Sequence, residues 1–122
     1  MRLHHVSIPI GHGEFDKGRD FYGGIFGLRE VSTPATLGEG RVLWFELGES
    51  ELHLFVEDDP NARPSGRHFA FQVDNLATVR AALEARQIEI EETTPIHNRP
   101  RFFVHDPWGN QLEVTQIDGP YH

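Results

Sequence analysis

Three histidines and one glutamate stand where they could hold a metal ion. They are His5, His53, His68 and Glu113. Each falls in a stretch that alternates apolar and polar residues, and an extended strand sends alternate side chains to opposite faces. His5 opposes Val6, Ile8 and Ile10. His53 opposes Leu52, Leu54 and Val56. His68 opposes Phe69, Phe71 and Val73, and Glu113 opposes Leu112 and Val114. All four are therefore expected on the face turned away from the apolar set. Their spacing repeats: His68 follows His5 by 63 residues, and Glu113 follows His53 by 60. Neutral imidazole offers a nitrogen lone pair and carboxylate adds compensating charge, a set suited to divalent Fe, Mn, Co, Ni or Zn. Calcium or magnesium would want more oxygen ligands. Trp44, Phe55, Gln72, Arg101 and Phe103 share the parity of the four and are expected to line a substrate pocket. Arg101 could pair a carboxylate or phosphate there. A lone histidine on a strand is usually a packing or surface residue; agreement in both parity and repeat makes metal binding the better account. His4, His12, His105 and His122 lack that pattern and are read as structural or solvated. His97, in a loop, is the one placed to lie near a site mouth.

The elements that must position these residues can be read from period and punctuation. Strands are expected at Leu3 to Ile10, Leu28 to Ser32, Arg41 to Leu47 and Glu51 to Val56. A helix over Glu14 to Phe26 carries Phe15, Tyr22 and Phe26 on one stripe and ends at Gly27, with Gly18, Gly23 and Gly24 working against it. Residues 58–66 form a polar linker with two Asp and two Pro. The order then recurs. A strand covers Arg67 to Val73, and a helix capped by Asp74 or Asn75 runs to about Arg86 with Leu76, Val79 and Leu83 on one stripe. Further strands cover Ile88 to Glu92, Arg101 to His105 and Gln111 to Gln116. Pro95 follows Pro34, and Gly109 follows Gly48, each by 61 residues. The chain thus reads as a single α+β domain, residues 1–122, of two βαβββ modules over about 1–57 and 67–118, joined by the linker 58–66. An internal duplication of pattern accounts for it.

Composition bounds the partners. The chain has 122 residues and a formal net charge of -8, from 19 acidic and 11 basic side chains. Such a surface repels phosphate backbones and argues against nucleic acid. There is no cysteine, so disulfides, thiolate metal ligands and cysteine nucleophiles are excluded. The start of the chain lacks the apolar core of a signal peptide, and no apolar run approaches a bilayer span, so the expectation is a cytoplasmic protein without a membrane partner.

Several segments together resemble the vicinal oxygen chelate superfamily, the glyoxalase, bleomycin resistance protein and extradiol dioxygenase family. They are Leu3-His4-His5-Val6-Ser7-Ile8, Asp20-Phe21-Tyr22 with Gly27-Leu28, Trp44-Phe45-Glu46-Leu47-Gly48, Leu52-His53-Leu54, Arg67-His68-Phe69-Ala70-Phe71, and Phe103-Val104-His105-Asp106-Pro107-Trp108-Gly109-Asn110 followed by Leu112-Glu113. The likeness covers nearly the whole chain. It implies that the modules curl a mixed sheet into a cup around the metal. It also implies a homodimer with shared sites, in which His5 and His53 of one chain meet His68 and Glu113 of the other. His53 falls where glyoxalase I has glutamate and methylmalonyl-CoA epimerase has glutamine, a departure from both. The implied function is a metal-dependent lyase, isomerase or transferase that chelates two neighbouring oxygens of a small substrate, with Glu113 and His53 also serving catalysis. Four ligands would leave an octahedral ion two open positions, enough for a bidentate substrate. Were His53 a base instead, His5, His68 and Glu113 would form the facial triad of an extradiol-type dioxygenase. A non-catalytic drug-binding resistance protein is the other alternative. Fosfomycin resistance chemistry fits less well, because Phe103 stands where that group is expected to carry tyrosine.

Overall fold

The structure is a computed structural model that describes residues 1–122. The chain forms two compact units, Met1–Ala62 and Arg63–His122. The architecture is α+β with two mixed sheets, as the repeating pattern predicts.

In the first unit, β1 (His5–Ile10), β2 (Glu30–Val31), β3 (Val42–Leu47) and β4 (Ser50–Val56) form one sheet in the order β1-β4-β3-β2. β1 runs parallel to β4, while β3 is antiparallel to both β4 and β2. A two-residue hairpin, Gly48-Glu49, joins β3 to β4. Gly48 takes φ 58°, a region open to glycine without a Cβ clash, so the tight turn falls there. The apolar parity holds: Ile8, Ile10, Leu43, Phe45, Leu52 and Leu54 are all buried.

The helix expected over Glu14 to Phe26 departs from plan. Only α1 (Phe15–Gly18) is α-helical, and Arg19–Ile25 winds more widely as a π-helix. The wider winding buries Phe21, Tyr22 and Ile25, whereas the expected stripe partners Phe15 and Phe26 stay half-buried. Gly18, Gly23 and Gly24 hold the backbone in α geometry weakly, so packing of the bulky rings decides the winding. Tyr22 meets Phe45 with ring centroids 6.5 Å apart. Gly27, at φ 71°, ends the segment as expected, and the Leu28 N–H reaches back to the Tyr22 carbonyl at 3.1 Å. Arg19 ties this segment to β2 through two bonds to Glu30, at 3.0 and 3.1 Å. The hydrogen bonding to Glu30, ahead of that to Asp16, raises the Arg19 pKa above its ordinary value.

In the second unit, β5 (Phe69–Gln72), β6 (Arg101–His105) and β7 (Gln111–Thr115) form a sheet in the order β5-β7-β6. β5 is parallel to β7, and β6 is antiparallel to it. Helix α2 (Leu76–Ala85) starts at Asn75, whose side chain accepts from the Thr78 N–H at 3.0 Å. The Gln116 side-chain oxygen accepts from Leu76 N at 2.8 Å and fastens the helix start to the end of β7. Val79 and Leu83 from the helix are buried, as are Phe71, Phe102, Val104, Leu112 and Val114 from the strands. The strand expected over Ile88 to Glu92 is reduced to one bridge, in which Glu91 and Phe103 exchange both backbone bonds at 2.8 and 2.9 Å. Three carboxylates in five residues (Glu89, Glu91, Glu92) favour solvent over a longer edge pairing, and Pro95 stops it.

Candidate functional site

In the first unit, strand register decides which polar side chains meet. His53 lies opposite Ser7 on β1 and opposite Trp44 on β3, while His5 lies opposite Glu51. The His53 ring is held between two others. It stacks on Trp44 with centroids 3.9 Å apart and planes 4° apart, and on His5 at 4.2 Å and 18°. This sandwich buries His53, whereas His5 remains exposed.

The two imidazoles have defined polar partners. His53 Nε2 is 2.9 Å from Glu51 Oε1. An ionised carboxylate only accepts, so Nε2 carries the proton and Nδ1 presents its lone pair. His5 Nδ1 is 2.9 Å from His4 Nδ1, which leaves Nε2 as its uncommitted ring nitrogen. Glu51 is a functional candidate outside the expected ligand and pocket residues. The signal was its spacing of two residues from His53 on one strand.

In the second unit, His68 precedes β5 and is exposed. Its Nδ1 is 3.0 Å from the Gly66 carbonyl oxygen. A carbonyl cannot donate, so Nδ1 holds the proton and Nε2 is the lone-pair nitrogen. The His68 ring meets Phe103 edge to face at 5.0 Å, and Phe103 is the cross-strand partner of Glu113. His68 and Glu113 thus border the same ring. Glu113 is half-buried and accepts from Arg101 Nη1 at 2.6 Å. The Arg101 Nη2 donates to the Thr94 carbonyl at 2.9 Å, and its guanidinium carbon lies 5.7 Å from the Phe103 ring centre.

The residues of the expected pocket are distributed as follows. Trp44 is the stacking floor of His53. Phe55 lines a groove of the first unit with His12, Leu37 and Arg41. Arg101 lines a groove of the second unit with Arg80, Glu92 and Arg99. Phe103 stands between His68 and Glu113, and Gln72 is exposed on β5 opposite Thr115. No group of three or more His, Asp or Glu side chains is gathered as a ready metal cage. The four expected ligands occur instead as two pairs, one per unit. Of the other histidines, His12 pairs with Asp58 at 2.6 Å and His105 with Glu91 at 3.4 Å, both on the surface.

Comparison with known proteins agrees with this geometry at the level of fold. A glyoxalase family protein from Bacillus anthracis superposes with a TM-score of 0.81 and 30% identity, over 96% of this chain and 95% of that one. A glyoxalase/dioxygenase from Nostoc punctiforme gives 0.79 and 26%, over 97% and 92%. A fosfomycin resistance protein from Listeria monocytogenes gives 0.76 at 16% identity, over 100% and 95%, a likeness of fold alone. No curated protein matches the sequence. The family description Glyoxalase/Bleomycin resistance protein/Dioxygenase superfamily matches residues 2–114. With its paired βαβ-type sheets and nearly full-length match, this chain belongs to the glyoxalase/bleomycin resistance protein/dioxygenase superfamily.

Proposed function

We propose that the protein is a metal-dependent enzyme of lyase, isomerase or transferase type acting on a small substrate with two neighbouring oxygens. His5, His53, His68 and Glu113 would hold the ion, two from each unit, in a homodimer whose sites draw on both chains. One observation carries the reading: each imidazole has one ring nitrogen committed to a partner and the other uncommitted. Fixing the ring by its second nitrogen is what metal-binding histidines need. The donor set is nitrogen-rich with one carboxylate, which fits a first-row divalent ion. When bound, such an ion supplies Lewis-acid stabilisation of oxyanion charge.

The chain's own residues divide the remaining work. Glu51 holds the proton on His53 Nε2 and so fixes the ring's tautomer and orientation. Trp44 and His5 clamp that ring from both faces. Glu113 adds negative charge beside Phe103. The Glu51–His53 pair also supports a second reading, in which His53 is a base beside a His5, His68 and Glu113 triad, the ligand set of an extradiol-type dioxygenase.

The test is elemental analysis of protein purified without added metal, followed by titration with Mn, Co, Ni and Zn. Stoichiometric uptake, with turnover of an α-hydroxy ketone or α-dicarbonyl in the loaded protein, is expected. Protein that carries no metal, iron included, as purified and then binds none of the four ions stoichiometrically rejects the proposal. Oxygen consumption with a catechol would favour the triad reading instead. A second expectation concerns Glu51→Gln, which keeps shape but removes charge. It should lower metal affinity or turnover by about 10–100-fold, the usual cost of losing an outer-shell partner. An unchanged titration and an unchanged rate would remove Glu51 from the site.

A further inference from the structure

The Arg101–Glu113 pair uses up two groups that the proposed site needs separately. Both side chains are largely shielded, with 14% and 17% of their surface exposed, and their polar atoms are 2.6 Å apart. A shielded pair of this kind is a short charge-assisted bond, stronger than a surface contact. Arg101 is nonetheless incompletely satisfied. Glu113 and the Thr94 carbonyl take one bond from each terminal nitrogen, while Nε is buried with no partner. A guanidinium carries five donors. Phe103 flanks the pair, with the Arg101 guanidinium 5.7 Å from its ring and His68 against the same ring. The carboxylate proposed as ligand, one of the histidines proposed as ligands and an under-satisfied cation therefore share one neighbourhood in the second unit.

We propose that Glu113 masks Arg101, and that when Glu113 turns to a metal ion Arg101 becomes the receptor for an oxyanion on the substrate. The inference rests on the proposed metal site and names its substrate class: a vicinal-oxygen compound that also bears a carboxylate or phosphate. Masking has a thermodynamic consequence. Metal and anion each bind better once the other has broken the pair, and the coupling is reciprocal. Arg101 also opposes metal binding in the absence of an anion, because it holds the ligand and adds a positive charge beside it.

Two arms test this. In the first, inorganic phosphate and acetate are titrated by calorimetry into metal-free parent, Glu113→Gln and the double variant Glu113→Gln/Arg101→Met. Glu113→Gln is expected to bind one of these anions at least about tenfold more tightly than the parent, and the double variant to lose that gain. Equal binding by parent and Glu113→Gln, or a gain that survives loss of the arginine, overturns the proposal. In the second arm, Zn or Ni affinity of folded Arg101→Met is expected to rise about tenfold over the parent. A fall or no change overturns the masking role even if Glu113→Gln fails to fold. Parent protein that takes up no metal would reject the metal reading alone, since the anion arm still decides whether Glu113 masks Arg101.

Discussion

Asp106→Ala is expected to destabilise the protein by about 3 kcal/mol. The β6–β7 hairpin turns through Asp106-Pro107-Trp108-Gly109-Asn110. The Asp106 carbonyl accepts from Gly109 N at 3.0 Å, which closes a turn with proline at its second position. Gly109, at φ 82°, supplies the left-handed residue that realigns the strands. The Asp106 side chain is buried, with 4% exposed, and organises this turn. It accepts from Trp108 N at 3.0 Å, Asn110 N at 2.8 Å and Asn110 Nδ2 at 2.9 Å. Alanine would leave one buried and two half-buried donors without this acceptor, and hydrogen bonds to a charged group are among the costlier ones to lose. Trp108, buried at 3%, would lose its anchored backbone as well. Asp106→Asn keeps one acceptor oxygen and should cost less than half as much. Urea unfolding monitored by Trp fluorescence checks this. A midpoint shift in Asp106→Ala worth under about 1 kcal/mol would show that the turn does not depend on the carboxylate.

His68→Ala is expected to weaken metal binding by at least about 100-fold while leaving stability nearly unchanged. The lower bound follows from outer-shell losses, which alone reach that size. The expectation of unaltered stability follows from the ring's exposure: its contacts are an edge against Phe103 and one bond to the Gly66 carbonyl. The control is His105→Ala. His105 is also exposed, belongs to the same unit and pairs with Glu91 at 3.4 Å, but has no place in the proposed ligand set. Competition titration against a coloured chelator separates the two. If His68→Ala competes as well as parent, His68 is not a ligand. If both variants weaken equally, the effect is general histidine loss rather than a site.

Much of the scaffold was legible in advance because local chemistry and tertiary packing agree there. Arg101–His105 alternates cleanly and forms β6 with the expected bounds, and the Asn75 cap starts α2 where a side-chain acceptor was available. Parity correctly turned Ile8, Leu52, Leu54, Leu112 and Val114 inward. The π-helical Arg19–Ile25 was not legible, since glycine weakness shows that a helix is soft but not how it will rewind. Ile88 to Glu92 misled because alternation records which face is apolar, not how far an edge segment will pair: beside β6 only Glu91 bonds, to Phe103. The site was legible only as a list of side chains on faces. Spacing along β4 puts Glu51 on the face of His53, but their contact depends on rotamer choice. That Glu113 meets Arg101 depends on cross-strand register as well, which has no one-dimensional signature.

Each sheet contains a parallel pairing between the first and last strands of its unit. Val6 pairs with Leu52, and Phe69 pairs with Leu112. β1 and β5 are edge strands, and each has its last-made strand as sole neighbour. During synthesis, then, β1 emerges from the ribosome with no bonding partner and must wait for β4, while β2 and β3 are made in between. β5 waits likewise for β7. The closing contact of each unit is its longest-range one, whose entropy cost must be met before the pairing contributes anything. A chain halted or cleaved just before Gln111 would keep α2 and β6 yet strand β5, and with it the segment that carries His68. Emergence of Gln111–Thr115, the β7 strand, is therefore the step that commits the second unit to its fold.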